Sequence, residues 1–274
     1  MPHNKQKKIA VINDFCGFGR CSLTVSLPII SASKIQCCPV PTAIFSNHTE
    51  FESYFSTDCT DFIEKYISEW KKLGLSFSGI LTGYLGSFRQ IEIVKGFIKE
   101  FKGQNTAVII DPVMGDNGEL YPNFPRELAE GMSELVSFAD ILTPNLTEAC
   151  ILTGTEYNEN ICDSELSKLC EKLSLMGPEK IVISGLERGE NLLNFIYERG
   201  KEPILYEEHK TGPGRAGTGD VFASLIAADT VLGKPLFEAV KHASGFVAKL
   251  LRRAVELGIP ETDGLPFEEF LTEL

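Results

Sequence analysis

The chain has 274 residues, 43% of them hydrophobic, and its 26 basic and 38 acidic side chains give a formal net charge of −12. That length suits one large α/β domain over residues 1–274 with a substantial buried core, and the composition excludes global disorder and collagen-like or coiled-coil fibres. An acidic chain without a local basic patch repels nucleic acid and anionic membranes, so neither is expected as a partner. The run Lys5, Lys7, Lys8 and the pair Arg252 and Arg253 read as solvated surface.

No apolar run approaches the roughly 18–20 residues that span a bilayer. The stretch Ile9–Ile12 stops at Asn13-Asp14, too short for a signal peptide, and a cytoplasmic chain is expected. The eight cysteines contain no C-x-x-C pair and the four histidines are far apart in sequence. They read as reduced thiols, mostly buried as small apolar groups, and not as zinc ligands.

In chain order, Lys8–Ile12 reads as a strand, followed by the glycine loop Gly17-Phe18-Gly19 and a helix over Cys21–Ser33. Ile35–Val40 is a second strand. Asp58–Leu73 has helical spacing, with Phe62, Tyr66, Ile67 and Trp70 expected on one face. Phe77–Thr82 is a strand ending at Gly83-Tyr84, and Ile91, Val94, Ile98 and Phe101 mark a helix. Thr106–Ile110 is a buried strand running into Asp111-Pro112. Arg126–Phe138 is a helix, Ile141–Thr143 a short strand, Glu165–Leu175 a helix and Lys180–Ser184 a strand. Leu192–Tyr197 and Pro203–Glu207 follow with no helix between them and read as an antiparallel hairpin. The glycine-rich Thr211–Asp220 then leads into helices over Val221–Leu232 and Leu236–Leu257.

Strands alternating with helices imply βαβ units and a mostly parallel sheet between helical layers. Ligands of such sheets gather beyond the carboxyl ends of the strands. The polar and glycine residues after each apolar run therefore carry the information: Asn13-Asp14, Gly83-Tyr84, Asp111, Asn145 and Gly185.

The sharpest local signal is Ala216-Gly217-Thr218-Gly219-Asp220 ahead of an apolar helix. Glycines let the backbone turn tightly and approach a ligand. The unpaired N–H groups and dipole of a helix start favour an anion. A carboxylate at Asp220 can accept a proton from a substrate hydroxyl while those N–H groups stabilise a transferring phosphoryl group. Thr218 or Asp220 serving only as a helix cap is the plainer reading. Gly212–Gly217 also fits G-x-G-x-x-G, but no second strand follows, so a dinucleotide site is not supported.

A second acidic cluster joins Asp111-Pro112-Val113-Met114-Gly115-Asp116 to Asn145-Leu146-Thr147-Glu148 at the ends of neighbouring strands. Asp111 and Glu148 can hold a hydrated Mg²⁺, and Asn145 a phosphate or a metal-bound water. A helix cap at Asn145 or Thr147 and a turn at Asp111 are the plainer alternatives.

The order Asp111, Asn145-x-x-Glu148, Gly217-Thr218-Gly219-Asp220 resembles the ribokinase superfamily of small-molecule kinases. Phe45-Ser46-Asn47-His48-Thr49, Thr82-Gly83-Tyr84 and Asp111–Asp116 resemble segments of its vitamin B6 kinases, and the likeness runs from about Lys8 to about Leu257. The resemblance implies a single-domain, three-layer αβα sandwich with a mostly parallel sheet and a small antiparallel hairpin. It implies ATP-dependent phosphorylation of the 5′-hydroxymethyl group of a vitamer, with ATP and Mg²⁺ as cofactors and room for a monovalent cation. By the same resemblance Asp220 is the base, Ala216, Gly217, Thr218 and Gly219 form the anion hole, and Asn145, Ser184 and Arg215 contact ATP. Asp111 and Glu148 stand near the metal. Asp14, Phe45, His48, Thr49 and Tyr84 surround the ring, where an aromatic face and a few hydroxyls suit a flat polar heterocycle. A homodimer is implied as well.

Asp14 departs from the serine of many pyridoxal kinases. Asp14–Gly19 partly resembles the aspartate-and-glycine loop of hydroxymethylpyrimidine kinases, which keeps that substrate open. A non-catalytic vitamer-binding protein of the same fold is the alternative from another class.

Overall fold

The structure, a computed structural model, describes residues 3–121 and 124–274. It consists of β1 (Lys8–Cys16), α1 (Leu23–Ala32), β2 (Gln36–Phe45), β3 (Ser56–Asp58), α2 (Thr60–Lys72), β4 (Gly79–Thr82), α3 (Phe88–Phe101), β5 (Ala107–Ile110), the short ribbon β6 (Gly115–Asp116) and β7 (Glu119–Leu120), and α4 (Arg126–Val136). There follow β8 (Ile141–Leu142), α5 (Leu146–Thr153), α6 (Asp163–Leu175), β9 (Lys180–Arg188), β10 (Asn191–Glu198), β11 (Ile204–His209), α7 (Thr218–Leu232) and α8 (Leu236–Glu256), with 3₁₀ turns over Glu261–Asp263 and Phe267–Glu273.

One nine-stranded sheet has the order β11-β10-β9-β8-β5-β4-β1-β2-β3. The strands from β9 to β2 run parallel, while β3 pairs antiparallel with β2 at one edge, and β10 with β9 and β11 with β10 at the other. The expected hairpin is therefore the end of the main sheet. Alternation along each strand feeds two cores. Ala10 and Ile12 pack with α2 to α6 on one face, and Ile9 and Val11 with α1, α7 and α8 on the other. This is the three-layer arrangement read from the sequence.

Three local differences shape the site. β1 does not stop at Ile12: it runs to Cys16 along β2, with an irregularity between Asn13 and Phe15 where β2 steps from Pro41 to Ile44. That bulge re-aims the end of the strand, so Asn13 and Asp14 stand on a rigid element. α2 is rotated from its expected face. Ile63 is buried and Ile67 and Trp70 pack on the core, whereas Phe62 is 65% exposed and Tyr66 40%. The i, i+4, i+7 stripe from Ile63 sets the rotation, and Phe62 falls off it by one residue. The C-terminal turns, without a periodic signal, fold back onto the Gly17–Arg20 loop: the Arg20 N–H donates to the Asp263 carbonyl at 3.3 Å and the Arg20 guanidinium pairs with Glu268 at 2.7 Å.

Candidate active site

Asp220 stands in the first turn of α7, half-buried. Its Oδ1 accepts from the Asn13 amide at 3.0 Å and its Oδ2 from the Ser22 N–H at 2.7 Å. Burial raises its carboxyl above the usual range, and these two donors pull it back. The turn in front is built on Gly217 at φ 74°, where a Cβ would collide with the Arg20 carbonyl. The Thr218 hydroxyl and N–H both donate to the Arg215 carbonyl, at 2.8 and 3.2 Å. Among the described residues the N–H groups of Gly219 and Asp220 find no acceptor, which leaves two donors at the positive end of a fifteen-residue helix.

Asn13, which the sequence marks as a polar residue after the first strand but to which it gives no role, is the hub. While Nδ2 holds Asp220, Oδ1 accepts from the N–H groups of Tyr84 at 2.7 Å and Asp14 at 3.0 Å. A side chain at Gly83 would meet the Asn13 amide at 2.5 Å, so the Gly83 of the Thr82-Gly83-Tyr84 segment is the space Asn13 fills. Asp14 is 7% exposed, and burial, with Asp220 nearby, pushes its carboxyl up to about 7 despite a hydrogen bond from Ser22. Cys16 and Cys21 are buried free thiols whose side chains meet beside these carboxylates.

On the far side of Asn13, Phe45, Tyr54 and Tyr84 form an aromatic cluster. The Phe45 ring lies 5.9 Å from Tyr54 and 6.0 Å, edge-on, from Tyr84. Burial and the nearby Asp14 and Asp58 push the Tyr84 phenol up, so it stays a donor. Tyr54 carries no motif in the sequence and reaches the site only through the turn between β2 and β3.

His48 is placed differently from the expected vitamer contact. Its Nε2 donates to the Thr262 carbonyl at 2.6 Å and its Nδ1 accepts from the Glu50 N–H at 3.4 Å. Nε2 ties the 46–50 turn to the C-terminal segment, and Nδ1 closes the turn on itself. Thr49 is exposed.

The second cluster assembles beside the first. Asn145 and Glu148 form a full capping box at the start of α5: the Glu148 N–H donates to Asn145 Oδ1 at 2.9 Å, and the Asn145 N–H to Glu148 Oε2 at 2.9 Å. Glu148 Oε1 also accepts from the Met114 N–H at 3.1 Å, and the Asn145 amide donates to the Gly115 carbonyl at 2.8 Å. The plainer cap reading thus holds, and it locks the Asp111–Asp116 segment onto α5. Burial pushes the Glu148 carboxyl up to about 8 against these donors. The Asp111 carboxyl is raised too, by burial first and then by Glu148 and Asp220. Ser184 sits next to Asn145 across a parallel bridge, its N–H on the Pro144 carbonyl at 3.0 Å. Arg215 is turned toward the C-terminal segment, its Nη1 on the Ile259 carbonyl at 2.6 Å and its buried Nε without a partner.

Among the described residues no three metal-ligating side chains converge, and Glu148 spends both oxygens on N–H groups, unlike the freely presented ligand the sequence suggests. What remains is Asp111, whose carboxyl feels the charges of Glu148 and Asp220 without converging with them. That fits a cation held by few protein ligands and completed by water and phosphate oxygens. No helix among the described residues is long and apolar enough to cross a membrane.

A parallel sheet whose strand ends converge on a glycine turn, a helix N-terminus and a carboxylate behind it is the architecture of the ribokinase-type small-molecule kinases. The family model described as phosphomethylpyrimidine kinase matches residues 26–264. A pyridoxal kinase of Arabidopsis thaliana is 31% identical over 80% of this chain and 72% of its own. A Bacteroides thetaiotaomicron protein with the provisional name phosphomethylpyrimidine kinase superposes with a TM-score of 0.96 at 39% identity, over 100% of this chain and 95% of its own. A second crystal form of it contains pyridoxal and superposes at 0.95 and 38%, over 98% and 96%. The chain belongs to the phosphomethylpyrimidine kinase family, on its vitamin B6 kinase side.

Proposed function

We propose that the chain transfers the γ-phosphoryl group of ATP to the 5′-hydroxymethyl oxygen of a vitamin B6 vitamer: pyridoxal, pyridoxine or pyridoxamine. The observation that carries this reading is the Asn13 amide, which joins the Asp220 carboxylate to the backbone of Tyr84 in the aromatic cluster. A ring held at Phe45, Tyr54 and Tyr84 can present its hydroxymethyl group to Asp220. Pyridoxal in the Bacteroides relative and the names of the kinase relatives support it.

Asp220 takes the hydroxyl proton as the oxygen attacks the γ-phosphorus in line and ADP leaves. Its raised proton affinity matches that task. The free N–H groups of Gly219 and Asp220, with Ala216, Gly217 and Thr218 shaping the turn, receive the transferring group. Asn145 and Ser184 line the phosphate side. Arg215 fixes the turn from behind, its Nη1 on the Ile259 carbonyl and its Nε buried, and would contact ATP only on turning toward the phosphates. Asp111 would hold Mg²⁺, with Glu148 behind it through water, and the cation would neutralise phosphate charge. Asp14 faces the ring side with Phe45, Tyr84 and the exposed Thr49, while His48 supports the turn that carries Thr49.

The chain acts as one ribokinase-like unit over 1–274, in the cytoplasm, where its free thiols stay reduced, and as a homodimer. A hydroxymethylpyrimidine substrate is the second reading. Asp14 favours it, since a carboxylate there suits an additional ring donor. ATP-dependent ADP release is to be measured with the three vitamers and hydroxymethylpyrimidine side by side. Turnover of a vitamer at the highest kcat/KM is expected. Turnover of the pyrimidine alone moves the assignment to the second reading, and binding without any turnover leaves a vitamer-binding protein.

A further inference from the structure

Gln90 has no exposed surface. It lies in the first turn of α3, three residues after the N-cap Ser87, whose hydroxyl accepts the Gln90 N–H. Ser-x-x-Gln is the pattern of a capping box, and a cap needs only the side-chain oxygen. That oxygen does accept, from the Gly86 N–H at 2.8 Å. The nitrogen goes further: Nε2 reaches the Thr42 carbonyl at 2.9 Å, the Thr60 hydroxyl at 2.8 Å and Asp58 Oδ2 at 3.1 Å. These acceptors lie in β2, at the start of α2 and at the end of β3. The Thr42 hydroxyl in turn donates to the Tyr84 carbonyl at 2.8 Å.

One buried amide therefore joins the three segments that present Phe45, Tyr54 and Tyr84. We propose that Gln90 is a positioning residue for the heterocycle: it sets the spacing of the aromatic cluster, and through it the affinity for the vitamer, without touching the substrate. The inference rests on the vitamer-kinase reading above. The phosphate side, at Asn145, Ser184 and Gly217–Gly219, is built on β8, β9 and α7, away from the β2–β3 edge. Changes at Gln90 should move binding of the heterocycle and leave that of ATP.

Gln90→Glu separates this from capping, because a glutamate caps equally well. It removes the two N–H donors and sets a carboxylate against Asp58. The vitamer KM, and its Kd measured without ATP, should rise about tenfold or more, the scale of a buried polar group losing its partner. The ATP KM should stay within about twofold, and kcat at saturating vitamer should hold, as expected when only ground-state binding is lost. Adding Asp58→Asn returns a donor to the pair and should recover most of the loss. Thr42→Val, close in shape, should give a smaller rise of the same kind and replaces the first variant if that one does not fold. A wild-type vitamer KM in Gln90→Glu overturns the inference. So does a joint rise of both substrates' constants without recovery by Asp58→Asn, the mark of a scaffold role. Wild-type protein that binds no vitamer removes the vitamer reading itself and this inference with it. Normal wild-type binding with an indifferent Gln90→Glu removes this inference alone.

Discussion

Asp14→Asn should make the protein more stable, by an amount that grows with pH. Asp14 is almost fully buried, and its carboxyl is pushed from an ordinary 3.8 up to about 7. A carboxyl whose folded value lies above its unfolded value binds its proton more tightly in the native state. Its contribution is therefore most favourable below pH 3.8 and is lost as pH rises toward 7. At about 1.36 kcal/mol per pH unit, the titration of Asp14 disfavours the folded state, relative to low pH, by about 2 kcal/mol at pH 5, where the native carboxyl keeps a proton that the unfolded one has lost, and by about 4 kcal/mol at pH 8, where it is ionised in both. Asparagine keeps the shape and avoids the charge. Urea unfolding of the two proteins at pH 5, 6, 7 and 8 measures the difference. The mutant's advantage should widen by about 2–3 kcal/mol across that range, worth roughly 2 °C in Tm per kcal/mol for a chain of this size. A difference that stays flat with pH, or a wild type that gains on the mutant as pH rises, refutes the argument that burial dominates at Asp14. On the proposed placement of Asp14 beside the ring, the same mutant should bind the vitamer differently while leaving the ATP KM unchanged.

Two further outcomes follow from the geometry around the phosphates. Gly217→Ala should lower Tm and abolish turnover. The left-handed backbone alone costs roughly 1–2 kcal/mol for an L-residue, and the added Cβ collides with the Arg20 carbonyl; wild-type activity in that variant would mean the turn is not where the phosphoryl group is received. Glu148→Gln turns an acceptor into a donor against the N–H of Asn145 or Met114. The Mg²⁺ concentration for half-maximal rate should rise about tenfold, the scale of a lost outer-shell partner, and an unchanged Mg²⁺ requirement would show that Glu148 serves only as a cap.

The sequence reveals much of this site because its chemistry sits at element ends. The apolar runs before Asp111 and Asn145 and the glycines before Asp220 each mark where a strand stops or a helix starts, and the sheet brings those ends to one edge. What it conceals is long-range and polar. Asn13 looks like the residue that ends a strand, and its role depends on Tyr84 and Asp220, 71 and 207 positions away. His48 sits inside a recognisable motif, yet its partner is the Thr262 carbonyl of a tail without periodicity. Glu148 has the right type and spacing for a metal ligand, and only the folded chain reveals that two backbone donors occupy it. The rotation of α2 is hidden from the sequence for a related reason. Phe62 is as apolar as Ile63, and only packing decides which of two adjacent residues faces the core.

The central claim is that Asp220 takes the proton from a vitamer hydroxyl during phosphoryl transfer. Its most direct test is the initial rate of pyridoxal 5′-phosphate formation from pyridoxal and ATP–Mg²⁺ by the wild type and Asp220→Ala, with pyridoxal binding measured on both. The account expects a fall in kcat of roughly 10²–10⁴-fold, the range a positioned general base supplies, while the mutant still binds pyridoxal with an affinity close to that of the wild type. A mutant that binds pyridoxal and turns it over within a few-fold of the wild-type rate would contradict it.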